Sequence, residues 1–141
     1  MNSNSSQLPD KPRPESPPDH KPWWQALSEH RVTAQRCTNC QRLRLYPRPM
    51  CDVCYSLEYD WADLKGEGFV HSWSVSHHAF NPGFKKDLPY LTVTVDLTEG
   101  LRLHAPLLGV EDKEISIGMP VVVDFEDVDD SYTRLFFKRA E

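Results

Sequence analysis

Hydrophobic and polar positions alternate along most of the second half of the chain. Leu91, Val93, Val95 and Leu97 are separated by Thr92, Thr94 and Asp96, the period of two expected of a half-buried strand. Glu99-Gly100 then turns the chain into Leu101–Ala105, a hairpin partner. Upstream, Phe69, His71, Trp73, Val75 and His77 fall on one face of a long first strand, with Val70, Ser72, Ser74 and Ser76 on the other. Downstream, Gly118-Met119-Pro120 introduces a strand carrying Val121, Val123 and Phe125, and a last strand runs from about Thr133 to Lys138 with Leu135 and Phe137 inward. Five strands, the first long and the connection between the third and fourth extended, predict a five-stranded Greek-key barrel of the OB type. An SH3-like barrel is the alternative topology.

The first half reads differently. Residues 1–22 are polar and hold six of the twelve prolines; residues 1–21 are expected to form a disordered Pro-rich tail. They contain no apolar core of a signal peptide, and no segment reaches membrane-spanning length, so a cytoplasmic protein without membrane association is expected. Pro22-Trp23-Trp24-Gln25-Ala26-Leu27 opens a short helix, with Pro22 in its first turn and Trp23 and Leu27 one turn apart. Two adjacent tryptophans cannot share one face of so short a helix, which leaves one of them for the body of the protein and the other for core or partner. Val32–Arg36, the stretch Leu43, Leu45 and Tyr46, and the alternating Leu57, Tyr59 and Trp61 read as short strands, and Lys65–Gly68 breaks the pattern. The expected organisation is therefore mainly β: tail 1–21, a short N-terminal helix with a rubredoxin-like four-cysteine zinc ribbon over 22–64, and a C-terminal five-stranded OB-fold barrel over 65–141.

The ribbon rests on Cys37-Thr38-Asn39-Cys40 and Cys51-Asp52-Val53-Cys54, which contain all four cysteines of the chain. A C-x-x-C turn points both sulfurs into one small volume, and two such knuckles facing each other make a tetrahedral thiolate cage suited to Zn²⁺. Two disulfides would require an oxidising compartment, to which nothing directs the chain. Iron in the same cage would make a rubredoxin-like redox protein. Rubredoxin knuckles usually carry glycine after the second cysteine, where Gln41 and Tyr55 stand here. A four-cysteine site leaves no open position, so the zinc is expected to be structural.

Charge refines the picture. The net charge is −5, yet residues 31–50 hold Arg31, Arg36, Arg42, Arg44 and Arg48 without an acid. Four thiolates on one Zn²⁺ carry about −2, which these arginines would partly offset. The barrel is acidic, with Asp124, Glu126, Asp127, Asp129 and Asp130 clustered at the end of the fourth strand. That charge repels a polyanion and leaves a single-stranded nucleic-acid-binding module as a secondary reading. No catalytic constellation emerges: His71, His77, His78 and His104 lack partners fixed by spacing, and no glycine-rich phosphate loop or G-x-S-x-G is present.

Taken in order, Trp23-Trp24, Cys37-x-x-Cys40, Pro47-Arg48-x-x-Cys51-x-x-Cys54 and Gly66-x-Gly68-x-Val70 closely resemble the zinc-ribbon/OB-fold acyl-CoA-associated proteins, domain-of-unknown-function family thirty-five. The resemblance continues through Pro89-Tyr90, Leu97-x-Glu99-Gly100 and Ile117-Gly118-Met119-x-Val121, and covers about residues 22–139. It implies a non-catalytic accessory subunit that binds a thiolase-like enzyme, such as a steroid or lipid side-chain aldolase, in a hetero-oligomer. The barrel would help form the acyl-CoA channel of that enzyme. Lys85 and Lys86, together with Arg48, are the candidates for the CoA phosphates, and Cys37, Cys40, Cys51 and Cys54 for the metal. Gln41, where the family usually has glycine, is a departure that would reshape the first knuckle.

Overall fold

A computed structural model describes residues 10–140. The expected tail falls partly outside them; its described part, from Asp10, lies along the barrel and ends in a 3₁₀ turn, Pro18–His20. Helix α1, Lys21–Ser28, follows, with Pro22 in the first turn where a missing N–H costs nothing. It buries Trp23, Ala26 and Leu27. Trp24 packs half-buried on the same core, its ring centroid 5.8 Å from that of Tyr132. Both tryptophans therefore serve packing.

Three strands build the ribbon: β1 (Val32–Cys37), β2 (Leu43–Arg44) and β3 (Tyr59–Leu64), ordered β2-β1-β3 and antiparallel throughout. Strand β1 is the central one and is buried along nearly its whole length. So small a sheet cannot bury a core of its own. Val32, Ala34 and Leu64 instead join Trp23, Leu27 and the barrel interior in one continuous apolar cluster.

The barrel consists of β4 (Glu67–Ser76), β5 (Tyr90–Leu97), β6 (Arg102–Leu107), β7 (Pro120–Asp129) and β8 (Tyr132–Arg139), closed in the order β4-β5-β6-β8-β7. β7 returns to pair with β4 through Gly68↔Val121, and β6 meets β8 in parallel at Leu107↔Phe137. This is the OB arrangement, not the SH3-like one. Val93, Val95, Val121 and Phe137 fill the centre, while Ile115 and Met119, from the long connection between β6 and β7, complete the core.

One expectation from the alternation needs correction. Strand β4 does not present a single face from Phe69 to His77. A bulge between Val70 and Ser72 changes its parity. Before the bulge Gly68 and Val70 point inward, opposite Leu97 and Val95, and Phe69 is 52% exposed. Beyond it Trp73 opposes Val93, and Val75 opposes Leu91. A period-two reading cannot see an inserted residue, so it placed Phe69 with Trp73.

The tight end of β4 also explains Gly68. A Cβ there would lie 2.4 Å from the Asp96 carbonyl oxygen and 2.6 Å from Val95 Cγ1, both held by the β4–β5 ladder. Gly68→Ala is therefore expected to destabilise the fold by about 2–3 kcal/mol, through forced separation of two strands. Denaturant unfolding of the two proteins measures it; a loss below about 0.5 kcal/mol would show that the strands part freely.

Candidate functional site

Each cysteine knuckle is built by the same backbone bonds. Cys37 N–H donates to the Arg42 carbonyl and Gln41 N–H to the Cys37 carbonyl, both at 2.9 Å; Cys51 N–H donates to Ser56 at 2.9 Å and Tyr55 N–H to Cys51 at 3.1 Å. Gln41 and Tyr55 close the turns at φ of 68° and 64°. Glycine adopts this region freely, whereas a side chain costs about 1–2 kcal/mol there. The first knuckle is thus not reshaped by Gln41; it keeps the geometry of the second. The Gln41 amide also donates to the Thr38 carbonyl at 3.1 Å.

All four sulfurs lie within 4.8 Å of one another, with Cys37–Cys54 at 3.5 Å and Cys40–Cys51 at 3.6 Å. A tetrahedral site with Zn–S bonds of ~2.3 Å has sulfur–sulfur edges of ~3.8 Å, so the cage fits the ion. Cys37 and Cys51 are buried, Cys54 is half-buried and Cys40 exposed. Amides face the sulfurs: Cys40 N–H lies 3.5 Å from Cys37 Sγ and Val53 N–H 3.4 Å from Cys51 Sγ. The Asn39 side chain and then the Ser56 amide hold the Cys54 thiol down at about 6. The amides of Cys54 and Val53 keep Cys51 below its ordinary range. At Cys40 the Arg42 amide pulls downward, but desolvation and the crowding sulfurs outweigh it and push the thiol up to about 11. Bound zinc removes this conflict by taking every sulfur as thiolate. With four protein ligands it would stay coordinatively closed and structural.

Beside the cage, Gln35 and Arg44 are buried in a polar joint that spacing alone did not reveal. Gln35 Oε1 accepts from Arg44 Nε and from the Arg48 amide, both at 2.8 Å, and Arg44 Nη2 donates to the Arg48 carbonyl at 3.0 Å. The Arg44 guanidinium also lies over the Tyr59 ring, 5.0 Å from its centroid. No carboxylate pairs with Arg44 among the described residues. A buried cation without an acid is expensive, and here it is compensated by the Gln35 and Arg48 acceptors and the Tyr59 ring, while Arg44 Nη1 and Gln35 Nε2 keep no hydrogen-bond partner. The one sequence signal was a charge between Leu43 and Leu45. Of the other ribbon arginines, Arg31 pairs with Glu29 and Asp63, and Arg42 with Asp52.

The joint carries the loop Leu45–Arg48 to the barrel, where the His104 amide donates to Tyr46 Oη at 3.0 Å. Tyr46 and Pro47 thereby form one wall of a cavity of about 1180 Å³. Trp23, Trp24 and Leu27 of α1 form a second wall, Leu91, Leu103 and Leu107 the barrel side, and Lys11, Pro12, Phe84 and Asp87 a further side. Lys85 and Lys86 are exposed and lie between the lining residues Phe84 and Asp87 in the 3₁₀ turn Pro82–Asp87. Arg48 is exposed and follows the lining Pro47 directly. The three sequence candidates thus sit on two segments that border one cavity.

The histidines are placed on the surface. His71 Nδ1 is 3.4 Å from Asp96, which is chiefly held by Arg102 at 2.7 Å. Thr94 Oγ1 and His104 Nδ1 are 3.1 Å apart, a hydroxyl–imidazole contact whose ring no carboxylate orients among the described residues. His78 packs edge-on against Phe80.

A rubredoxin-like four-cysteine ribbon and an OB barrel that share one apolar core define a two-part zinc-ribbon/OB-fold class. Residues 24–60 match the family described as "ChsH2, rubredoxin-like zinc ribbon domain", and 61–126 match "ChsH2, C-terminal OB-fold domain". The chain belongs to this ChsH2-type zinc-ribbon/OB-fold family, also termed DUF35. It is 39% identical over 130 residues to the "Probable enoyl-CoA hydratase alpha subunit" of Thermomonospora curvata, covering 92% of this chain but only 40% of that one. It is 30% identical to a "DUF35 domain-containing scaffold protein" of Methanocaldococcus jannaschii, with 82% and 85% of the two chains covered. Among solved structures, a chain of the "Ltp2-ChsH2(DUF35) aldolase" superposes with a TM-score of 0.84 at 39% identity, covering 92% of this chain and all of that one.

The geometry of the cage yields a direct measurement. Purified protein is expected to contain about one zinc per chain by elemental analysis, and Cys51→Ser to lose it and melt the ribbon, since a buried hydroxyl replaces a thiolate. Stoichiometric iron with a visible chromophore would overturn the assignment.

Proposed function

We propose that this protein is a non-catalytic accessory subunit that binds a thiolase-like enzyme, of the type that cleaves or transfers lipid or steroid side chains, and helps form its acyl-CoA channel. The observation that carries this reading is the large, mainly apolar cavity between α1, the Tyr46–Pro47 loop and the barrel; its charged lining is mixed, with Lys11 and Arg134 beside Asp87, Glu111, Asp112 and Glu126, and Lys85, Lys86 and Arg48 lie next to lining residues. Its volume suits an extended apolar chain rather than a small polar metabolite. A closed four-cysteine site, and histidines none of which joins a hydroxyl nucleophile to an orienting carboxylate among the described residues, offer no evident group for reaction with a thioester. The names carried by its relatives, a hydratase subunit, a scaffold and an aldolase complex, support a role beside a catalytic chain.

In this reading the tail and helix cover the cavity, the ribbon fixes its Tyr46–Pro47 wall, and the barrel supplies its floor. Lys85, Lys86 and Arg48 meet the CoA phosphates while the acyl chain enters the cavity. The gain is positional: a flexible thioester must be held close to its productive geometry, and a wall that restricts it and excludes water contributes without a reacting group.

Co-expression with the thiolase-like enzyme of the same genome is expected to give a stable complex on size exclusion, with higher activity than the enzyme alone. The isolated chain is expected to turn over no CoA thioester. Joint reversal of Lys85, Lys86 and Arg48 to glutamate is expected to raise the KM of the complex for its thioester about tenfold, with kcat little changed. An enzyme that works equally well alone and never co-elutes, or turnover by this chain in isolation, refutes the proposal.

A further inference from the structure

The two knuckles share a backbone but not a surface. On the first, apart from the ligand Cys40, the exposed positions are Thr38, Asn39, Gln41 and Arg42, all polar. On the second, Val53, Tyr55 and Leu57 are 55%, 69% and 68% exposed, and Met50 just before it is 45% exposed. Metal coordination does not require this difference. It needs the cysteines and a positive φ after each pair, and Gln41 shows that a polar residue meets the second need. Tyr55 is the harder residue to explain, because an aromatic side chain is disfavoured in that conformation and glycine would relieve it. Its ring makes no aromatic contact among the described residues and stays in solvent. Apolar side chains gathered on one turn, with an aromatic held in an unfavourable conformation, mark a surface that is covered in use.

We propose that the second knuckle, Met50 to Glu58, is the docking surface for the catalytic chain invoked above, an inference that rests on that reading. The charges around it indicate the chemistry of the partner. Asp52 is answered by Arg42 at 3.2 Å, but Glu58 and Asp60, which follow the patch on the same segment, have no ion pair among the described residues. The partner therefore presents an apolar depression that receives Tyr55, rimmed by lysine or arginine facing Glu58 and Asp60. A second copy of this chain fits less well: a two-fold contact through the same patch sets these acids against their own counterparts. None of the four apolar residues lines the cavity, so docking leaves the cavity accessible to a ligand.

Tyr55→Gly separates this role from the fold, because it removes the ring and the backbone cost together. Gln41→Gly makes the same backbone change on the first knuckle and serves as the control. Both variants of the complete chain are expected to keep one zinc and to melt no lower than the parent. Tyr55→Gly is expected to weaken binding to the purified thiolase-like partner at least 30-fold by calorimetry, and Gln41→Gly less than threefold. Tyr55→Gly binding within threefold of the parent, while the parent forms its complex, sinks the docking surface and leaves the accessory role standing. A parent that binds no such enzyme sinks both. A concentration-dependent dimer of the parent, abolished by Tyr55→Gly in sedimentation, would reassign the surface to a second copy and overturn the proposal.

Discussion

Four cysteine sulfurs converging within 4.8 Å cannot all carry charge without a cation among them. Much of the first half of the molecule follows from that constraint. The amides aimed at Cys37 and Cys51 and the two turns closed at positive φ all serve one compact negative centre. The ribbon has too little apolar area to hold this arrangement unaided. Metal binding supplies its folding free energy, ~10–16 kcal/mol apparent in comparable zinc peptides.

The ribbon reaches the barrel through two kinds of contact. Val32, Ala34 and Leu64 share the barrel's apolar core, which fixes the position of the sheet. Gln35, Arg44 and the Arg48 backbone then pass that position to the Leu45–Arg48 loop, and the His104 amide anchors Tyr46. At the other edge, Val123 N–H donates to the Gly66 carbonyl at 2.8 Å, and Lys65 N–H to Glu99 at 2.8 Å. His30 lies 3.0 Å from Asp127 and stacks on Phe125. The four-cysteine knuckles and the Tyr46–Pro47 wall of the cavity are thus parts of one hydrogen-bonded segment.

The described part of the N-terminal segment, with Phe84 and Asp87, forms a further side of that cavity. Lys11 pairs with Asp87 and lies over Phe84, while Arg13 pairs with Asp129 and lies over Tyr132. Gly83 permits this approach, since a Cβ there would stand 2.6 Å from the Asp10 carbonyl oxygen. Exposed pairs of this type are individually weak, so the segment is held by their sum and by the fit to Gly83.

Local chemistry was legible from the chain alone. Two C-x-x-C pairs in so short a stretch turn four sulfurs towards one point, so the four-cysteine cluster was evident from spacing, and strict alternation at Leu91–Leu97 gave the half-buried β5 because a strand's side chains have a period of two. The barrel order could be inferred because few closed five-stranded topologies accept a long connection between the third and fourth strands. What tertiary structure decided was everything that depends on a neighbour distant in sequence. The bulge after Val70 flips Phe69 outward, because register against β5 and β7, not local pattern, sets which residue is extra. Arg44 is buried where Gln35, the Arg48 carbonyl and the Tyr59 ring meet it, and no local property of an arginine announces that. Trp24 is absorbed by contact with Tyr132, more than one hundred positions away. Phe84, Asp87 and Pro47, the lining neighbours of Lys85, Lys86 and Arg48, come to one cavity only once the barrel closes and the ribbon folds back onto it.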